Sequence, residues 1–157
     1  MAIAAADLFG VVAYPDILSL DRALELGEKA TGASSAISIG RVVAITEATG
    51  VWARATSGND TRLGVIPKLY PGKDVNTDSS AKVTVLTGPQ AEVYVEASGN
   101  IIVGQRVVAG DNGTVKAWTS GNWFGVYKGH YGEGSGQDNA ATDATNGQAI
   151  RIAINTR

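Results

Sequence analysis

From residue 37 onward the chain alternates apolar and small or polar positions with the two-residue period of β-strands. Ile37, Ile39, Val43 and Ile45 fall on one side of the first such segment, interrupted by Arg41. This alternation predicts a strand with one face turned to the protein core. Comparable segments, separated by Gly, Pro, Asn and Asp, recur at 51–56, 62–69, 82–87, 91–96, 101–109, 115–119, 123–128 and 149–155. About nine short strands at this spacing predict an all-β fold, either a small barrel or a sandwich.

The pattern before residue 36 is different and predicts one short helix over 16–30. Leu20 and Leu24 are spaced by one helical turn, Asp16 is suited to cap the first turn, and Gly32 is suited to end the helix. The predicted fold is therefore all-β with one short helix and an N-terminal arm. The arm and helix occupy residues 1–35, and the β domain occupies 36–157.

The arm is rich in apolar side chains and is separated from the helix by Pro15. A free apolar segment would be unfavourable on a monomer in water, so the arm needs a surface to cover. Two possibilities remain open: it docks on a neighbouring subunit or another protein, or it covers an open end of its own β domain. The candidate interface residues are Leu8, Phe9, Val11, Val12 and Tyr14.

A repeat organises the β domain. Arg-Val-Val-Ala begins at Arg41 and again at Arg106, Thr-Ser-Gly-Asn begins at Thr56 and at Thr119, and Gly-Val begins at Gly64 and at Gly125. The offsets of 65, 63 and 61 residues fall in steps, as expected if loops were shortened between two copies. The matches keep the same order in both copies. We therefore predict two duplicated β units, over about 37–97 and 100–157, of which residues 37–70 and 101–131 should be superimposable.

Composition narrows the classes of function. The 157 residues include 18% charged residues, 20 Gly and no Cys, and the net charge is −2. Without Cys there is neither a disulfide nor a thiolate metal site, and without a basic cluster electrostatic binding of nucleic acid is disfavoured. No apolar run approaches 18 residues, and the first residues lack the basic region of a secretory signal, so we expect a soluble protein made in the cytoplasm.

Candidate chemistry is sparse. The single His, His130, lies between glycines in a predicted loop, where exposure to solvent is more common than catalysis. The Asp- and Asn-rich segment 138–147 resembles a calcium loop only weakly, and turn formation explains its composition better. We therefore expect no enzyme activity, no cofactor and no bound metal.

Three tryptophans, Trp52, Trp118 and Trp123, lie inside the repeat units. Exposed aromatic rings on a β surface can bind sugars or single-stranded nucleic acid. Anchoring of a core or of a subunit interface explains them equally well and occurs more often. Sugar binding and structural anchoring therefore both stay open. Binding of nucleic acid is disfavoured, because the sequence has no basic groove.

The repeated pattern resembles the small capsid decoration, or cement, proteins of tailed bacteriophages over residues 37–157. The matching residues are Gly40, Val42, Val43, Gly50, Ala53, Gly64 and Val65, and again Gly104, Val107, Val108, Gly113, Ala117, Gly125 and Val126. The resemblance implies a β-barrel or β-sandwich protein that oligomerises, often as a trimer, on the outside of a head built by the major capsid protein. Its role would be to reinforce the shell, with no contact to membrane. The alternative function is a carbohydrate- or receptor-binding β module of a phage fibre or a cell surface.

Overall fold

The structure is a computed structural model, and it describes residues 12–13, 24–29, 38–46, 51–58, 63–69, 82–87, 91–130 and 143–155. These residues contain eleven β-strands and one short 3-10 turn at Asp111–Gly113. The strands are β1 (Val12–Ala13), β2 (Leu24–Lys29), β3 (Val42–Thr46), β4 (Val51–Arg54), β5 (Leu63–Leu69), β6 (Lys82–Leu86), β7 (Glu92–Glu96), β8 (Arg106–Ala109), β9 (Val115–Ala117), β10 (Gly125–Gly129) and β11 (Ala149–Ile154). The prediction of an all-β fold is confirmed.

The strands form two antiparallel sheets that share one apolar core. The first sheet has five strands in the order β2-β6-β5-β3-β4, and the second has six in the order β1-β7-β11-β10-β8-β9. Buried side chains from both sheets belong to a single contiguous cluster. Of the two predicted architectures, the sandwich is the observed one.

The prediction of a helix over 16–30 is wrong for residues 24–29, which are the part of this segment that the structure describes. Leu24–Lys29 is strand β2, which pairs antiparallel with β6 through Leu24↔Leu86 and Glu25↔Val85. The four-residue spacing of the leucines indicated a helix, but Gly27 is unfavourable in a helix interior. Pairing with β6 supplies the backbone hydrogen bonds of this segment instead.

The described part of the arm is a strand of the chain's own second sheet. Val12–Ala13 pairs antiparallel with the start of β7 in the register Val12↔Val93 and Ala13↔Glu92. At the backbone, these two residues therefore cover an edge of their own β domain. Leu8, Phe9, Val11 and Tyr14 lie outside the described residues, and the role of the arm at an interface stays a prediction.

Five strands of each sheet have the same neighbours in the same order. In the first sheet β3 lies between β4 and β5, β5 pairs with β6, and β6 pairs with β2. In the second sheet β8 lies between β9 and β10, β10 pairs with β11, and β11 pairs with β7. The strands that contain the two Val-Val pairs, β3 and β8, are therefore equivalent in topology. The boundaries of the two predicted units stay a prediction.

Matching turns fix the register between the two units. Gly40 and Gly104 have φ angles of +78° and +83°. Each lies in a turn that leads into the following strand. The Gly40 N–H donates to the Ile66 carbonyl at 2.9 Å, and the Gly104 N–H donates to the Tyr127 carbonyl at 2.9 Å. Gly40 therefore corresponds to Gly104, an offset of 64 residues.

This register corrects the Arg-Val-Val-Ala match by one residue. Val42 pairs with Val65, and Arg106 pairs with Val126. The Ala55 N–H donates to the Val42 carbonyl, as the Trp118 N–H donates to the Arg106 carbonyl. The counterpart of Arg106 is thus Val42 and not Arg41. A slip of one residue exchanges the two faces of a strand. Because the two sheets pack on one core, the identical letters still share their environment: Val42 and Val107 both belong to the core, as do Ala44 and Ala109.

The first sheet buries side chains on both of its faces. One face contributes Val42, Ala44, Ala55, Leu63, Val65 and Leu86 to the shared core. Trp52 belongs to the other face, because it pairs with Ile45 and so alternates with the core positions of β3, and it is fully buried. The second sheet places Val93, Val107, Tyr127, Ile150 and Ile152 in the core and leaves its other face partly exposed.

Polar contacts join the two units where the β8–β9 hairpin meets the end of β4. The Gly113 N–H donates to the Ala55 carbonyl at 2.9 Å, and the Ser57 N–H donates to Asp111 Oδ1 at 2.8 Å. Nearby, Arg41 Nη2 lies 2.6 Å from Glu96 Oε2 on the second sheet. The junction therefore depends on a hairpin tip and on one ion pair.

We expect Glu96→Gln to lower the free energy of unfolding by about 1–2 kcal/mol, because it leaves two arginines without their shared carboxylate. Burial lowers the pKa of Arg54 and the neighbouring Arg41 lowers it further, whereas Glu96 raises it. Urea unfolding of the variant measures the loss. Asp143→Asn removes the same charge at an exposed position and should change stability by less than about 0.5 kcal/mol. Equal effects of the two substitutions would show that the ion pair does not support the junction.

Candidate functional site

The outer face of the second sheet carries an arginine between two tryptophans. Arg106 is exposed on β8, and its guanidinium carbon lies 5.4 Å from the centroid of the Trp118 ring and 4.9 Å from that of the Trp123 ring. Both rings are half-buried. We call these three residues the Trp–Arg–Trp cluster. The distances are within the range of cation–π contacts.

Backbone hydrogen bonds hold the loop that carries the two rings. The Trp118 N–H donates to the Arg106 carbonyl at 2.9 Å, and the Phe124 N–H donates to the Val107 carbonyl at 2.7 Å. Within the loop, Trp118 Nε1 donates to the Gly121 carbonyl at 2.9 Å. Both ends of the loop are therefore tied to β8. This arrangement fixes Trp118 and Trp123 on either side of Arg106.

A row of paired residues extends from Arg106 across the sheet. Arg106 pairs with Val126, Val126 pairs with Ala153, and Ala153 pairs with Glu92. At the far end Glu92 Oε2 lies 3.3 Å from Arg151 Nε, so this carboxylate already has a cation as partner. Among the described residues, Arg106 forms no ion pair. Its positive charge is uncompensated within this part of the chain.

The three tryptophans separate into two environments. Trp52 is fully buried, so anchoring of the core accounts for it. Trp118 and Trp123 each contact Arg106 at the surface. The sequence analysis did not predict Arg106 as a site residue. It identified this residue only as the first position of the second Arg-Val-Val-Ala match. The signal that could have found it is the closely spaced Trp118 and Trp123 beside a strand that begins with Arg106.

The expectation that His130 is exposed is wrong. His130 is 6% exposed, the Tyr127 hydroxyl is hydrogen-bonded to its Nδ1, and the two rings stack with centroids 6.3 Å apart. Strand β10 extends through Gly129, which pairs with Arg151, and this pairing carries the His side chain into the protein. His130 therefore has a packing role at the end of β10.

The Asp- and Asn-rich segment 138–147, the weak candidate for a metal site, contains a turn within its described residues. Asn146 Oδ1 accepts a hydrogen bond from the Gly99 N–H at 3.0 Å, while Asp138 and Asn139 lie outside the described residues. Within the described ranges, no three His, Cys, Asp or Glu side chains are grouped so that they could hold a metal ion. The same part of the chain contains no helix that is long and apolar enough to span a membrane. The absence of a bound metal and of enzyme activity stays a prediction.

Comparisons with known proteins give one structural neighbour. No protein-family model matches the chain, and no curated protein matches it. Among solved structures, the chain is similar to the N base of the head fiber gp8.5 in bacteriophage phi29, with 16% identity and a TM-score of 0.44. The match covers 84% of this chain and 92% of that one. A likeness of this degree assigns neither a family nor a function.

Proposed function

We propose that the chain is a structural protein of a tailed-bacteriophage virion that decorates the outside of the head and stabilises the shell. Its partners are the major capsid protein and further copies of itself, and it catalyses no reaction. The resemblance of residues 37–157 to capsid decoration proteins supports this proposal. The observation that carries it is the Trp–Arg–Trp cluster, presented on the outer face of a rigid sheet.

The chemistry of the cluster suits a protein interface. Trp and Arg are enriched among the side chains that dominate protein–protein binding energy, especially where small neighbours surround them. The adjacent row at Val126 and Ala153 offers such a surface. An interface of about 1,600 Å² would be sufficient, and binding at many sites on a shell would multiply its stabilising effect.

The direct test uses expanded heads of the phage that encodes the chain, assembled without it. We expect the purified protein to co-sediment with these heads and to raise the temperature at which they break, because each bound copy stabilises the state to which it binds. A denatured-and-refolded sample of an unrelated β-sandwich protein is the control for nonspecific adsorption. Failure of the intact protein to bind the heads would contradict the proposal.

One observation favours the alternative function, a carbohydrate- or receptor-binding module. The loop between the two rings exposes Ser120, Gly121 and Asn122, so aromatic and polar groups lie side by side as they do in sugar-binding sites. Against it, Arg106 covers a ring face that a sugar would use. Specific binding on a glycan array, lost in Trp123→Ala, would favour this function over capsid decoration.

A further inference from the structure

We infer that the Trp–Arg–Trp cluster is a binding site for a carboxylate, supplied by an Asp or Glu side chain of a partner protein. The identity of that partner as the capsid protein depends on the proposed function. The site itself depends on three properties of the described residues: the fold does not require the cluster, Arg106 has no acidic partner, and its guanidinium is held in place.

The fold does not require an arginine or a tryptophan at these positions. In the first unit the backbone counterpart of Arg106 is Val42, and the counterpart of Trp118 is Ala55. Both counterparts are buried in the shared core. The same backbone arrangement therefore forms with Val and Ala. In the second unit the equivalent face is turned outward and carries Arg106 and Trp118 instead, so the strand and the loop do not depend on these two side chain types.

Arg106 keeps its hydrogen-bonding capacity. The two tryptophan rings make cation–π contacts with the guanidinium, which carries five N–H donors along its edges. None of the ion pairs within the described residues includes Arg106. A carboxylate accepts two parallel N–H bonds from such an edge, which gives both strength and a defined orientation.

The two rings reduce the cost of binding. Trp118 and Trp123 restrict the rotation of the Arg106 side chain, so less conformational entropy is lost when a ligand orders it. They also exclude water from part of the guanidinium, and this strengthens its attraction for a carboxylate. The ligand is best matched by an acidic residue flanked by small or apolar residues, because the surface beside Arg106 is formed by Val126 and Ala153.

Neighbouring charges favour an anion. Lys128 is exposed on β10, and Lys116 is half-buried on β9. The one carboxylate in the adjacent row, that of Glu92, is paired with Arg151. Among the described residues of β8, β9, β10 and the β8–β9 hairpin, the three positive side chains of Arg106, Lys116 and Lys128 exceed the one carboxylate, that of Asp111.

The first experiment measures binding to an array of short peptides that carry one Asp or Glu, each matched to the same peptide with Asn or Gln. We expect the full-length protein to prefer the carboxylate peptides, and Arg106→Gln to weaken their binding by at least about tenfold. Arg106→Lys should weaken it less, since it keeps the charge but loses the planar edge. Lys128→Gln removes a neighbouring positive charge but no donor that the carboxylate would contact, so it should weaken binding by no more than about twofold, far less than Arg106→Gln.

Equal binding of the carboxylate and amide peptides, or equal binding by wild type and Arg106→Gln, would overturn the inference. Preference for a glycan that Arg106→Gln leaves unchanged would also overturn it. The melting temperature of each variant verifies its fold, and we expect little change because Arg106 is exposed and forms no ion pair with the described residues.

The second experiment separates the site from the proposed function by using the expanded heads. Tenfold weaker binding of Arg106→Gln to the heads would support the carboxylate site as the capsid contact. If the wild type and this variant bind the heads equally, the capsid contact lies elsewhere and that part of the inference is wrong. If wild type binds carboxylate peptides but not the heads, the site stands and the proposed function fails.

Discussion

Replacing Trp52 by Ala is expected to lower the free energy of unfolding by about 3–5 kcal/mol. Trp52 is the largest fully buried side chain of the described residues, and it lies on the face of the first sheet opposite the shared core. Truncation removes the hydrophobic transfer energy of the indole and leaves a cavity that a paired β-strand cannot close easily. The expected loss is a large fraction of the stability of a typical domain.

Thermal and urea unfolding measure this effect, with a decrease in melting temperature of about 10 °C for a chain of this length. Trp118→Ala is the matched control, because it removes the same atoms from a half-buried surface position. We expect it to cost less than about 1 kcal/mol. If the two substitutions cost the same, Trp52 is not the core anchor that the structure shows.

The strands were predictable because their signal is local. Alternation over four to eight residues reports which face of a strand is buried, and the turns between strands require residues such as Gly40 and Gly104. The helix prediction failed for the complementary reason. The pairing of β2 with β6 joins residues about sixty positions apart, and a local helical spacing contains no information about such a partner.

The repeat was visible in the sequence, but its register was not. Matching letters aligned Arg41 with Arg106, whereas the turns and hydrogen bonds align Val42 with Arg106. The letter match follows burial and not backbone register, because Val42 and Val107 both belong to the shared core. Arg41 pairs with Glu96 of the second sheet, whereas Arg106 lies on the open surface close to two rings.

The candidate site could be predicted only in part. The sequence indicated that Trp118 and Trp123 belong to a core, an interface or a sugar site, but not which one. That choice depends on which face of the second sheet is turned outward. The outward face is set by how the two sheets pack, a long-range property that a single strand does not encode. Arg106 became a candidate only when its position between the two rings was known.

Gly113→Ala is expected to lower the free energy of unfolding by about 2–4 kcal/mol, because it combines backbone strain with a steric clash. Gly113 has a φ angle of +69°, which disfavours any residue with a Cβ. An added Cβ would lie 2.8 Å from the Val42 carbonyl oxygen and 3.0 Å from Arg54 Cγ. Both contacts belong to the first unit, so the substitution pushes the β8–β9 hairpin away from its partner sheet.

Gly121→Ala is the control that separates strain from clash. Gly121 has a φ angle of +80°, close to that of Gly113, but nothing lies within 4 Å of the position that its Cβ would take. It should therefore cost only the strain, about 1 kcal/mol. Urea unfolding of both variants gives the difference, which measures the packing of the hairpin tip against the first unit. If the two costs are equal, the hairpin tip does not pack closely against Val42 and Arg54, and the expected clash is wrong.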